Sequence, residues 1–352
     1  MRLVQFQVPG WGRRVGLVKG DMVLDLTELE PTWTMVYNVF QAARGQGLTL
    51  DAAVERALEG RQPAQFSYKT LWEAYPGDVG GWLLPPLDHP DPAHCFIGGT
   101  GLTHLGSTQA RGQMHRGGDD SQAQGVPPAK PQTDSEKMFA MGLRGGKPAP
   151  GQRGIAPECF YKGSGVILRG HHEFLDIPPY AQDGGEEPEI VGCYIIGSDG
   201  VPYRLGFALG NEWSDHAMER VNYLWLAPSK LRTCAIGPEL VTDEPFQDLR
   251  GRCRILRRRE VLYDSGELLT GEANMSHSLA NLEDHHFKHA QFRVAGDVHL
   301  YFFGTMKLSF GSRGPFEEGD VIEIDFPRMG RPLVNRVRRL VADDVPVQVR
   351  RA

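Results

Sequence analysis

The chain reads as an α+β protein, mostly β, in which a small N-terminal α+β domain precedes a larger, strand-rich C-terminal domain. Three observations predict this. Short β-branched or apolar runs bounded by glycine and aspartate turn signals recur along most of its 352 residues. Helical apolar spacing is clearest in two stretches near the start, residues 32–43 and 50–58. The segment 83–92, LLPPLDHPDP, carries four prolines in ten residues and reads as a linker. The expected division is a domain over residues 1–86 and a larger domain over 87–352.

In chain order, residues 2–8, 14–18 and 22–26 fit three short strands, with Lys19-Gly20-Asp21 the clearest turn. A strand over 94–99 leads into Gly98-Gly99-Thr100-Gly101. The polar residues beyond it, and the lack of an acidic residue closing a βαβ unit, argue against a dinucleotide loop. Residues 107–157 form an insert rich in Gly, Pro, Gln and charge, predicted as a long loop that is either a lid or an oligomer contact. Within it, Thr133 and Glu136 make a capping box that opens a short helix. Residues 190–196 and 202–209 are two apolar runs around the turn Ser198-Asp199-Gly200, hence a β-hairpin. A turn centred on Asp199 sets Glu187 opposite Asn211. Glu187 and Glu189, two apart on a strand, then share a face about 7 Å apart at Cα, with Glu212 beside them at the open end. Such a trio fits a hard divalent ion, and on spacing alone it fits a solvated acidic strand end equally well. Residues 250–263 form a basic strand with Arg257-Arg258-Arg259 at its turn. Residues 272–287 read as a loop entering a helix, and 317–326 as a turn and a closing strand.

Composition narrows the function. With charged residues at 23%, apolar ones at 40% and a net charge of −6, nothing favours nucleic acid or a membrane surface as a partner. The N-terminus lacks the apolar stretch of a signal peptide and no run approaches a membrane span, so the expected location is the cytoplasm. Five cysteines, none paired at metal-finger spacing, are expected to stay reduced. Gly170-His171-His172-Glu173 is not a zinc site, because adjacent histidines on an extended segment point opposite ways.

Several strings, in order and spacing, resemble the fumarylacetoacetate hydrolase superfamily. They are Glu187-Pro188-Glu189-Ile190, GFALGNE over 206–212, Ser229-Lys230 and CAIGP over 234–238. GNEWSDHAMERVNYLWLAPSKLRTCAIGPEL and GEANMSHSLANLEDHHF further resemble its branch of 2-keto-3-deoxy sugar acid dehydratases. The resemblance covers roughly residues 93–345. It implies a C-terminal mixed β-sandwich roll and Mg²⁺ (or Mn²⁺) held by Glu187, Glu189 and Glu212. It also implies a small 2-keto acid substrate whose enolate the metal stabilises, and a homodimer. Lys230 faces that substrate in the family, and His104, six residues after Gly98, matches a catalytic histidine. Where the family often has a glutamate three residues later, this chain has Ser107. His104 is therefore left to act alone, to act through water, or to be a helix-surface residue. Lys162 in a Phe-x-Lys-like segment, Thr305 after Gly304, and Asn274, Ser276, His216 and His286 are the expected substrate-side groups. Two departures stand out: Glu212 replaces the usual aspartate, and His216 stands where an arginine is common. The implied reaction is dehydration of a 2-keto-3-deoxy pentonate such as 2-keto-3-deoxy-L-arabonate to 2-oxoglutarate semialdehyde. The alternative is hydrolysis of a C–C bond in a 2,4-diketo acid. Elimination needs a base at C3 and an acid near the C4 hydroxyl, roles assigned to Lys230 and to His104 or His286.

Overall fold

The apolar run at the centre of the sequence becomes the centre of the fold. In the computed structural model, which describes residues 1–116 and 133–352, the strand Pro188–Ile196 is buried along its whole length. Its side chains alternate between two cores. Ile190, Tyr194 and Ile196 enter one with Trp213, Phe246, Ile324 and Leu333, whereas Val191, Cys193 and Ile195 enter the other with Val36, Phe40 and Val54. A strand covered on both faces has no polar side to show, which is why this run is continuously apolar.

Around it lies a large mixed sheet. In spatial order its main strands are Met22–Asp25, Gly12–Lys19, Arg2–Val8, Leu240–Val241, Pro202–Asn211, Pro188–Ile196, Val298–Phe302, Cys95–Gly99 and Phe160–Ser164. Arg2–Val8 pairs directly with Leu240–Val241, so the N-terminal strands extend the same sheet. The amphipathic helices Val36–Gly45 and Leu50–Leu58 cover one face. A second sheet of Glu260–Asp264, Leu249–Arg257, Val321–Asp325, Leu333–Arg339 and Phe174–Ile177 packs on the other. The chain is thus mostly β, with two mixed sheets face to face and no closed barrel, as expected. No helix among the described residues is long and apolar enough to cross a membrane. Cys95, Cys193, Cys234 and Cys253 are buried free thiols, and Cys159 is exposed.

Two sequence expectations need correcting. The hairpin pairs Ile196 with Pro202, but a bulge between Cys193 and Tyr194 on one strand leaves Leu205 extra on the other, so Pro188, not Glu187, lies opposite Asn211. Glu187 now meets Glu212, whose N–H donates to the Glu187 carbonyl at 3.0 Å. The segment read as a long loop contains the helices Leu105–Arg116 and Asp134–Gly145, the second opened by the predicted Thr133–Glu136 capping box. The first escaped notice because the side chains that it is seen to bury, Ser107, Thr108 and Arg111, are polar, so no apolar period marks that part of its inward face. The middle of the expected lid, residues 117–132, lies outside the described residues.

Candidate active site

At the open end of the hairpin, Glu187, Glu189 and Glu212 each bring a carboxylate oxygen to within 4.8 Å of the others, all three side chains buried. Strand geometry explains the pair: Glu187 and Glu189 share a face, while Glu186 points away and accepts from the Ser309 N–H and hydroxyl at 2.8 and 2.6 Å. The approach of the two strand ends is tight, since a Cβ on Gly185 would lie 2.3 Å from His216 Nδ1. His216 Nε2 in turn lies 3.0 Å from Glu187 Oε1.

Two lysines enter this cluster from below. Lys230 Nζ bonds Glu187, Glu212 Oε2 at 2.6 Å and the Ser214 hydroxyl at 2.9 Å, and sits 5.0 Å from the Phe160 ring centroid. Lys162 Nζ donates to Glu212 Oε1 at 2.6 Å, to the Trp213 carbonyl and to the Lys230 carbonyl at 2.9 Å. These three acceptors take all three ammonium donors, as Glu187, Glu212 and Ser214 take those of Lys230, so in this arrangement both lysines hold the carboxylates and the strand ends.

Three further charged groups were not singled out in the sequence. Arg111 reaches both oxygens of Glu187 at 3.2 and 3.1 Å and lies 3.6 Å from Glu219. Glu219 is one helical turn from His216 on His216–Val221 and accepts the Ser229 hydroxyl at 2.7 Å. Glu158, half-buried, accepts from the Tyr223 hydroxyl. Helical spacing was the available signal: Arg111 is seven residues after His104, and Glu219 three after His216.

The electrostatics follow from burial and count. Burial pushes Glu187 up, but Lys230 and Arg111 outweigh it and hold its carboxyl well below the usual range. Glu189 goes the other way, raised well above that range by burial and by the charges of Glu187 and Glu212. Burial also raises Glu212 despite Lys162 and Lys230. Lys230 is held well above the ordinary lysine range because Glu187, Glu212 and Glu219 outweigh its burial. This keeps the amine an ammonium in this arrangement. Counted as ionised, five carboxylates (Glu158, Glu187, Glu189, Glu212, Glu219) outnumber the basic side chains Arg111, Lys162 and Lys230 by two. An all-oxygen ligand set, a carboxyl destabilised by its like-charged neighbours and that surplus fit one hard divalent cation held by Glu187, Glu189 and Glu212.

The Gly304 N–H donates to Glu189 Oε2 at 2.6 Å, while the Thr305 hydroxyl turns to the Lys307 carbonyl at 3.1 Å. His104 is buried. The Thr103 hydroxyl donates to the Phe303 carbonyl at 2.8 Å, so it accepts from His104 Nδ1 at 2.9 Å. That leaves Nε2 to accept from the Thr270 hydroxyl at 3.1 Å. Burial lowers this imidazole to about 3, so it is a neutral ring with both nitrogens engaged. Asn274 donates to the Thr270 carbonyl and to Asp248, and the Ser276 N–H donates to the Thr103 carbonyl, so both brace His104. His286 lies elsewhere: it bonds His299 at 3.0 Å, stacks on Tyr301 and packs against Phe96 and Phe292. Burial and His299 lower it to about 3. The helix Leu279–Phe287 turns it inward to an aromatic cluster, and among the described residues none of its contacts is a member of the carboxylate cluster.

No protein-family model and no curated protein sequence matches the chain. Solved structures do. A 2-keto-3-deoxy-D-arabinonate dehydratase, complexed with magnesium and 2,5-dioxopentanoate, aligns at TM-score 0.64 and 17% identity over 97% of this chain and 99% of that one. A 5-carboxymethyl-2-hydroxymuconate delta-isomerase from Mycobacterium smegmatis gives 0.56 and 16%, over 97% and 100%. Maleylpyruvate hydrolase from Sphingobium sp. SYK-6, in complex with manganese(II) and pyruvate, gives 0.53 and 17%, over 96% and 99%. The chain therefore has the fumarylacetoacetate hydrolase-type fold.

Proposed function

We propose that this chain is a divalent-metal-dependent hydro-lyase that dehydrates a 2-keto-3-deoxy pentonate, such as 2-keto-3-deoxy-L-arabonate, to 2-oxoglutarate semialdehyde. The observation that carries the reading is the convergence of Glu187, Glu189 and Glu212 on one point, with the Lys230 ammonium against two of them. Mg²⁺ or Mn²⁺ bound there would supply Lewis-acid stabilisation to a chelating 2-keto acid. The chain's own residues do the rest. Lys162 and Ser214 fix the Glu212 carboxylate from two sides, and Arg111 with His216 fixes Glu187, so the ligand oxygens are set before anything binds. Lys230 provides a fixed cation for the charge that develops on the C2 oxygen as a C3 proton leaves.

Elimination is favoured over hydrolysis by the surroundings of His104. A hydrolytic water needs a base, and the place of a partner carboxylate is taken by Ser107, whose hydroxyl donates to the His104 carbonyl at 3.2 Å. The similarity to the dehydratase (TM-score 0.64) supports the same choice. The test supplies Mg²⁺ with 2-keto-3-deoxy pentonates of both C4 configurations and, separately, a 2,4-diketo acid. A semialdehyde detected by coupled NAD⁺ reduction is the expected product. Both pentonates left intact while the diketo acid is cleaved to two acids would establish the hydrolase instead.

A further inference from the structure

Beyond Leu340, whose N–H donates to the Ile177 carbonyl at 3.0 Å, residues 341–352 are exposed throughout. Their sequence is nevertheless that of a strand. Val345, Val347 and Val349 alternate with Pro346 and Gln348, so the three valines share one face, and they are 69%, 92% and 93% exposed. Three β-branched side chains left in water at that spacing are the pattern of a strand whose sheet lies elsewhere. Pro346 limits how the run can join one. Successive N–H groups point to opposite edges and Pro346 has none, so pairing runs through the edge of Val345, Val347 and Val349 and the other edge stays free. The run therefore suits an outermost strand. The charges on either side are ordered as well: Asp343-Asp344 precede the valines and Arg350-Arg351 follow them, all four exposed and none with an ion-pair partner among the described residues.

We propose that residues 343–351 add to a second copy of this chain, as a parallel strand on the outer edge of its Glu260–Asp264 strand. That strand ends the second sheet, pairs only with Leu249–Arg257 among the described residues, and carries an exposed apolar side chain, Val261. Its flanks hold the complementary charges. Arg258 and Arg259 precede it, exposed and without an ion-pair partner among the described residues, while Asp264 and Glu267 stand at and beyond its end, also exposed. With Val345 set against Glu260 and Val349 against Asp264, Asp343-Asp344 come alongside Arg258-Arg259, and Arg350-Arg351 run past Asp264 toward Glu267. An antiparallel strand would instead bring Arg350-Arg351 against Arg258-Arg259, which like-charge repulsion disfavours. The turn itself points the same way. Arg258 and Arg259 have φ of 52° and 73°, where a two-residue hairpin turn ordinarily carries Asn-Gly, so the backbone accepts strain to present two cations. Reach separates a second copy from the chain's own edge. In the sheet order the outer side of Glu260–Asp264 lies four strand spacings from Leu333–Arg339, roughly 19 Å. The stretch from Leu340 to Val345 extends at most about 18 Å, before any detour round the turns at 257–260 and 317–320.

The experiment mixes two full-length variants, one carrying Val345→Cys and the other Glu260→Cys, and follows disulfide formation under mild oxidation on non-reducing gels. Both carry Cys159→Ser, which removes the exposed native thiol. The two new thiols face each other in the proposed register, so the mixture should give a covalent dimer. Its yield should be at least about tenfold above that with Val341→Cys in place of Val345→Cys, because a thiol outside the register is too far from its partner to be bridged. Adding Arg258→Glu and Arg259→Glu to the Glu260→Cys chain should cut the yield about tenfold, and adding Asp343→Arg and Asp344→Arg to the other chain should restore it. No dimer from the mixture, an equal yield with Val341→Cys, or indifference to the charge reversals overturns the proposal. If a chain carrying both cysteines closes on itself while the mixture gives no dimer, the strand belongs to the chain's own edge and the second copy is overturned.

Discussion

Replacing Lys162 with methionine separates two roles for a buried cation. The side chain is 0% exposed and saturated by Glu212, the Trp213 carbonyl and the Lys230 carbonyl. Methionine fills similar space but removes all three donors, so Glu212 Oε1 and the Trp213 carbonyl lose the ammonium, while Glu212 Oε2 keeps Lys230 and Ser214 and the Lys230 carbonyl keeps the Arg232 N–H. Breaking a buried ion pair from one side costs about 3–5 kcal/mol. At roughly 2 °C per kcal/mol for a chain this long, Tm should fall by about 6–10 °C in metal-free buffer. Saturating Mg²⁺ restores positive charge beside Glu212, so it should raise the Tm of the variant more than that of wild type. Differential scanning fluorimetry with EDTA and with Mg²⁺ reads both numbers. A variant within about 2 °C of wild type in EDTA, with a raised KM for substrate, would refute the reasoning and return Lys162 to the substrate-facing role suggested by its sequence context.

Glu187→Gln and Glu212→Ala should weaken Mg²⁺ by at least the roughly 10- to 100-fold that loss of a supporting residue alone costs, and exhaustive chelation should abolish wild-type turnover; unchanged calorimetric titrations would remove these residues as ligands. Acid should destabilise the fold through its buried neutral histidines. His104 and His171 are lowered to about 3, mainly by burial, against about 6.5 when unfolded, so their stabilisation is complete above pH 6.5 and is lost as pH falls toward 3. Urea unfolding between pH 6.5 and 5 should lose about 1.4 kcal/mol per pH unit for each, and His171→Asn should make that dependence shallower. An equal slope in the variant would show that His171 does not contribute.

How much of this was legible depended on the distance over which each contact is made. The hairpin and its carboxylates could be read because two adjoining strands carry them and period-two alternation fixes their faces. The bulge at Leu205 was invisible, since nothing in YRLGFA distinguishes an extra residue from a regular one, yet it moved Glu212 opposite Glu187. Arg111 reaches Glu187 from 76 positions away, on a helix whose inward face is polar, so no apolar pattern announced it. Lys162 was found, but its contacts were not, because two of its three partners are backbone carbonyls that a sequence does not display as ligands. His286 lies on a correctly expected helix, but the direction of a side chain about that axis was settled by the aromatic residues of Val298–Phe302.

The distribution of the cysteines gives this protein a built-in place for a reporter. Four thiols are closed off in the cores, whereas Cys159 is exposed, one residue from Glu158 and three from Lys162. Burial and the charge of Glu158 raise its thiol, so a maleimide dye would react slowly at neutral pH and faster in alkaline buffer. One fluorophore, attached without any change to the sequence, would then sit one residue along the chain from Glu158, and any change in its emission on adding Mg²⁺ or a 2-keto acid would give binding constants for ligands that are never turned over.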